Sequence, residues 1–185
     1  HTTNLSENAD KFSEGLFKHR IDEVEKISNI LGRLTRRNPL IVGDPGVGKT
    51  SVVEGLAKWL NTDDAPEWLK GVQILAVSCS SLIAGAGYRG QLEGRVQQLV
   101  DAAILRKDVL LFLDEIQALT DAGATGSGNI LGLFNQYLSR GSFRMIAAVN
   151  RKDFESSIRP NEGFLRHFEV VTLEEPSREQ TLNMI

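Results

Sequence analysis

Gly43-Asp44-Pro45-Gly46-Val47-Gly48-Lys49-Thr50 is the stretch of this 185-residue chain that carries the clearest chemistry. It fits the pattern G-x-x-x-x-G-K-[ST] without a mismatch. That spacing has a physical cause. Glycines let the backbone wrap closely around a polyphosphate, so that successive N–H groups point at its oxygens. A helix starting there presents its positive end to the same anion. In such a loop Lys49 reaches the terminal phosphates and the Thr50 hydroxyl ligates Mg²⁺. The second constellation is Asp114-Glu115, directly after the apolar run from Val109 to Leu113. At the tip of a buried strand Asp114 can accept a Mg²⁺-bound water. Glu115 is the carboxylate that hydrolysis needs to polarise an attacking water. A strand ending in two carboxylates is common in isolation; following the loop by one strand and one helix gives the pair its meaning.

The elements that must position these groups alternate. Ile21, Val24, Ile27, Ile30, Leu31 and Leu34 recur at three- and four-residue steps, which predicts an amphipathic helix. Arg33, Arg36 and Arg37 fall in its predicted last turn, beside an anionic ligand, before Asn38-Pro39 breaks it. Strands are predicted at 40–42, 72–78, 109–114, 143–149 and 170–173, with helices at 49–60, 91–105 and 129–138. This alternation implies an α/β fold, a five-stranded parallel sheet sandwiched between helices. Residues 1–12 read as an N-terminal arm and 13–175 as the αβ unit. Residues 176–185 begin a further helix, with Ser177 as N-cap and Gln180 closing the capping box.

Composition narrows the function classes. A hydrophobic share of 41% with 24% charged residues is globular, and excludes intrinsic disorder, collagen-like repeats and coiled coil. The 21 basic and 24 acidic residues leave a net charge of −3, against a dedicated nucleic-acid binder. No apolar run approaches the roughly 20 residues of a membrane span. Cys79 is the sole cysteine, so no intrachain disulfide is possible and a reducing, cytoplasmic compartment is expected. His1, His19 and His167 are scattered without metal-ligand spacing. Ser51, Ser80 and Ser81 have no evident base. The chain opens on His1 rather than Met, which reads as a piece of a longer protein.

The chain resembles the AAA+ ATPases, and within them the first nucleotide-binding domain of the Clp unfoldases and disaggregases. Carrying the likeness are Arg37-Asn38-Pro39 leading into the loop, Val53-Glu54-Gly55-Leu56-Ala57, and Ala84-Gly85-Ala86-Gly87-Tyr88-Arg89-Gly90. Asp114-Glu115, Leu138-Ser139-Arg140-Gly141 and Glu174-Glu175-Pro176 then follow in family order. The resemblance implies a P-loop NTPase fold whose helical lid is missing here. It implies ATP held by Asp44, Pro45, Gly46, Val47, Gly48, Lys49, Thr50, Ser51 and Asp114, with Mg²⁺ on Thr50 and Asp114. Glu115 would activate water and Asn150 would orient it, although a turn-forming Asn is the plainer reading of that residue. Tyr88 and Arg89 would grip a translocating polypeptide, with Gly87 where relatives carry Lys; an ordinary exposed aromatic is the alternative. The loop at 121–128 would be a second pore loop. Arg166 would reach a neighbouring subunit's nucleotide or be a surface ion-pair residue, His167 standing where relatives carry another arginine. Phe17-Lys18-His19-Arg20 occupies the stretch that flanks the adenine. A homo-hexameric ring threading polypeptide follows from the resemblance. A DNA-linked motor such as a clamp loader shares the phosphate loop and the Asp114-Glu115 pair, with the Ala86 to Gly90 loop and the negative net charge against it; a secretion-associated disassembly ATPase is not told apart by these residues.

Overall fold

The computed structural model describes residues 2–9, 20–84, 86–121 and 130–175. The readings made for Phe17 to His19, for most of the second pore loop and for 176–185 lie outside them. Six strands form one sheet: β1 (Thr2–Asn4), β2 (Asn38–Val42), β3 (Gln73–Ser78), β4 (Val109–Asp114), β5 (Met145–Val149) and β6 (Phe168–Thr172). Their spatial order is β1-β3-β4-β5-β2-β6. The five predicted strands are all present and pair in parallel. The addition is β1, which lies antiparallel on β3 with Thr3 opposite Ala76. Three polar residues give no apolar signal, so this strand exists by pairing with an open edge rather than by burying a face of its own. Asn4 ends it: its Oδ1 accepts from the backbone N–H groups of Ser6 and Glu7, an Asx turn.

The central strands are largely apolar because helices cover both faces, the buried Asn38 being satisfied by the Met145 N–H and the His167 carbonyl. Every residue of β2 and β5 is buried. Side chains alternate between two cores. Leu110, Phe112, Ile146 and Ala148 pack with Val24, Ile27 and Ile30 of α1 (Ile21–Leu31) and Val52, Val53 and Leu56 of α2 (Lys49–Leu60). On the other face Leu111, Leu113, Ala147 and Val149 pack with Val96 and Val100 of the helix Arg89–Leu105 and Phe134 of Ile130–Ser139.

The first helix ends earlier than predicted. α1 stops at Leu31, before Gly32, and Arg36 takes φ 47° as the chain turns into β2. Arg33, Arg36 and Arg37 therefore do not form a basic last turn beside a nucleotide. They sit at the N-terminal ends of the strands, away from the phosphate loop. Arg33 and Arg36 face Glu169 at 3.3 and 3.6 Å, and Arg37 donates to the Gly141 carbonyl. The three arginines tie the chain at the start of β2 to the first residues of β6 and to the segment that leads into β5.

Candidate active site

β2, β4 and β5 deliver three segments to one end of the sheet. Val42 is level with Val149, and the Gly43 N–H donates to the Val149 carbonyl, so the loop and Asn150 leave the sheet side by side. β4, next to β5, brings Asp114 and Glu115 to the same edge. This is the carboxyl end of a parallel sheet, where such folds bind ligands. Pro45, Gly46, Lys49, Thr50, Asp114, Glu115 and Asn150 together line a cleft of about 230 Å³.

Within the loop, Gly46 and Gly48 hold φ of 81° and 96°, which side chains resist and which turn the backbone around the cleft. Gly48 is the N-cap of α2, so Lys49 and Thr50 are its first two residues. Lys49 Nζ donates to the carbonyls of Gly43 and Asp44, at 2.9 and 3.0 Å. Thr50 Oγ1 donates to Asp114 Oδ2 at 2.8 Å. A hydroxyl and a carboxylate meeting at a helix start are hard oxygen donors of the kind Mg²⁺ takes, and they fit that ion.

Glu115 is held unusually. Its φ is 55°, left-handed backbone that a non-glycine residue adopts at a cost, and its N–H donates to Asp114 Oδ1. Its Oε2 accepts from Ser80 Oγ at 3.0 Å, in the short helix Cys79–Ala84 after β3. The sequence reading dismissed Ser80 for want of a base. The contact follows from the register: Ser78 is level with Asp114, which carries the residues beyond each strand end to the same place.

Asn150 lines the cleft and caps the helical turn Arg151–Asp153, its Oδ1 accepting from the Asp153 N–H and its Nδ2 donating to Asp153 Oδ2. Its side chain thus stands at a turn and at the edge of the cleft at once. Ser51 follows in the first turn of α2. Tyr88 is 73% exposed, in extended backbone ahead of the helix that Arg89 begins. Arg166 is exposed beside Ser139 at the start of β6, outside the cleft of its own chain. His167 Nε2 is 2.8 Å from Asn135 Oδ1 and 3.3 Å from Arg166 Nε. Burial, and then the Arg166 charge, push the imidazole below its usual value, so it is neutral at pH 7.

Two arginines brace the loop: Arg20, the last residue of the stretch expected to flank the adenine, and Arg151, which carries no signal in the sequence. Arg20, 8% exposed, donates to the carbonyls of Val47 and Glu174 and pairs with Glu23 at 2.7 Å. It fastens the loop to the chain leaving β6. Arg151 spans Asp44 at 3.8 Å and Glu174 at 3.2 Å. Arg20→Met leaves the buried Val47 carbonyl without its donor, and hydrogen bonds to charged groups contribute about 1.5–3 kcal/mol each. A loss of about 2–3 kcal/mol in urea unfolding is the expected result.

Glu54 stands one turn after Thr50 on α2. Burial first, and the Asp114 charge second, raise its carboxyl above the usual range. An acid whose folded pKa exceeds its unfolded value holds its proton more tightly when folded. Its contribution to stability is present at low pH and lost as pH rises from the unfolded value through the folded one. In nucleotide-free protein, Glu54→Gln is expected to raise Tm relative to the native chain at pH 7. That gain vanishes once Glu54 is protonated in both states, below about pH 4. Calorimetry at the two pH values checks the sign.

Residues 39–171 match the AAA family, "ATPase family associated with various cellular activities". The chain is 33% identical over 184 residues to the chloroplastic chaperone protein ClpC1 of Oryza sativa subsp. japonica, covering 99% of this chain and 20% of that protein. It is 37% identical over 164 residues to the chaperone protein ClpB of Aquifex aeolicus, covering 88% of this chain and 16% of that one. It thus spans a fifth or less of the length of these curated relatives. In three dimensions it is similar, with TM-score 0.84 and 28% identity, to Hsp104 in a closed-state reconstruction with ATPγS and FITC casein; the likeness covers 100% of this chain and 31% of that one. The family match runs from the strand before the glycine loop, through the acidic pair, to the last strand of the sheet, and the chain belongs to the AAA family of ATPases.

Proposed function

We propose that this chain binds ATP with Mg²⁺ in the cleft between the glycine loop and the acidic strand tip, and hydrolyses it. The observation that carries this reading is the convergence of Lys49, the Thr50–Asp114 pair and Glu115 on one cleft. Lys49 and the loop amides bind the phosphates, releasing the Nζ from its own loop carbonyls. Mg²⁺, held by Thr50 and Asp114, supplies neutralisation of phosphate charge. Glu115 takes the proton of the attacking water, which the Asn150 amide, steadied by Asp153, helps to place. Arg166 serves a neighbouring subunit's cleft, since it is exposed and away from its own. Turnover by the isolated 185 residues is accordingly slow or absent.

In the assembled protein the chain forms a homo-hexameric ring, and hydrolysis moves Tyr88 against a polypeptide threaded through the pore. Similarity to ClpB, ClpC1 and Hsp104 supports this reading, as does a tyrosine left 73% exposed. The test is ATP-driven unfolding of a tagged fluorescent protein by the assembled ring. Tyr88→Ala is expected to stop unfolding while ATP turnover continues. Undiminished unfolding by that variant would remove Tyr88 from the mechanism, and a ring without turnover would remove the motor.

A further inference from the structure

A second and larger cavity, about 390 Å³, lies at the N-terminal ends of the strands, the end of the sheet away from the phosphate loop. Buried Leu69, Leu110 and Phe143 supply apolar lining, and Arg37, Arg106, Lys107 and Arg144 line it with positive charge. Among the described residues no carboxylate lines it, in a chain whose net charge is −3. Arg106 is engaged by Gln73 and Asp108, and Arg37 by the Gly141 carbonyl. Arg144 is different. Among the described residues its guanidinium has no hydrogen bond or ion pair, and it lies 5.3 Å over the ring of Trp68, which is 46% exposed. Partial burial and the Arg37 charge both disfavour its ionised form, yet a guanidinium stays protonated. Two like charges therefore face one cavity without a counter-ion, an arrangement that an incoming carboxylate relieves.

We propose that this cavity docks an acidic segment of a partner polypeptide, with a carboxylate on the Arg37–Arg144 pair and an adjacent apolar side chain against Trp68 and the apolar lining. The guanidinium fork matches a carboxylate in two-point contact. Trp and Arg are the side chains that dominate protein interfaces, and Leu105, next to the lining residues Ile104 and Arg106, is 85% exposed. A long phosphate polyanion fits less well, because the basic group is small and the rest of the chain is net negative. This docking is independent of the nucleotide cleft.

The test is fluorescence anisotropy of a labelled short peptide alternating Glu and Leu, titrated with the chain. Arg144→Ala and Arg37→Ala are each expected to weaken binding by at least about tenfold, as does replacing the peptide's Glu by Gln. Docking is also expected to shift the Trp68 emission, a change absent in Trp68→Phe, so a variant that folds poorly does not leave the idea untested. Equal affinity for the Gln peptide, unchanged affinity in both arginine variants, or no Trp68 response overturns the proposal. Displacement of the peptide by inorganic pyrophosphate or a short oligothymidylate as readily as by unlabelled peptide overturns it too, and assigns the cavity to phosphate.

Discussion

In the assembled protein, Glu115→Gln is expected to retain ATP affinity within about threefold while turnover falls by about 10² to 10⁴, the range that a positioned general base supplies. The substitution keeps the shape of the side chain and an oxygen that can accept from Ser80. It removes only the capacity to take a proton. In the proposed site phosphate contacts fall to Lys49 and the loop and the metal to Thr50 and Asp114, so the substitution changes none of the proposed binding groups. The left-handed backbone at Glu115 supports the same division of roles. A residue held at φ 55° by its neighbours has its carboxylate aimed by the fold, and a side chain aimed this way is costly to maintain for packing alone. Phosphate release and titration with a fluorescent ATP analogue separate the two quantities. Turnover within tenfold of the native rate would show that another group activates the water.

Lys49→Ala is expected to show the opposite pattern, with ATP affinity down by about a hundredfold or more. Two charge-assisted hydrogen bonds to phosphate at about 1.5–3 kcal/mol each account for that much, since about 1.4 kcal/mol is a factor of ten. The Nζ donates to the carbonyls of Gly43 and Asp44, at the solvent-accessible cleft. Water replaces it there when the side chain is removed, so the urea midpoint of the empty protein should move little. Arg20→Met separates cleanly from this variant, because its target carbonyl is buried and its cost appears in folding. A Lys49 variant that binds ATP normally would show that the loop amides suffice.

What was legible in the sequence follows from where the physics is local. A strand buried on both faces is apolar along most of its length, which is why residues 40–42, 109–113 and 145–149 stand out as continuous runs. The glycine loop is legible because its left-handed φ values at Gly46 and Gly48 restrict residue types at fixed spacing. Asp114 and Glu115 inherit their positions from β4. Features set by tertiary pairing were not legible. β1 has no buried face of its own, and Ser80 meets Glu115 only through the β3–β4 register. Arg20 and Arg151 act on carbonyls and carboxylates far away in the chain, such as Glu174. The early end of α1 reflects a conflict: Leu34 continued the apolar period, but it lies beyond Gly32 and is 97% exposed. A three-residue period does not reveal which of its members the core accepts.

The central claim is that the triphosphate and its metal lie between the glycine loop and the tip of β4. Crystals grown with ATPγS and Mn²⁺ in place of Mg²⁺ test it most directly, since the anomalous signal locates the metal independently of the nucleotide density. The account predicts the Mn²⁺ peak within coordinating distance of Thr50 Oγ1 and beside Asp114, with the phosphates on the amides of residues 44–50 and Lys49 Nζ turned away from its loop carbonyls. Nucleotide bound elsewhere on the chain, or a metal peak remote from both Thr50 and Asp114, would contradict it.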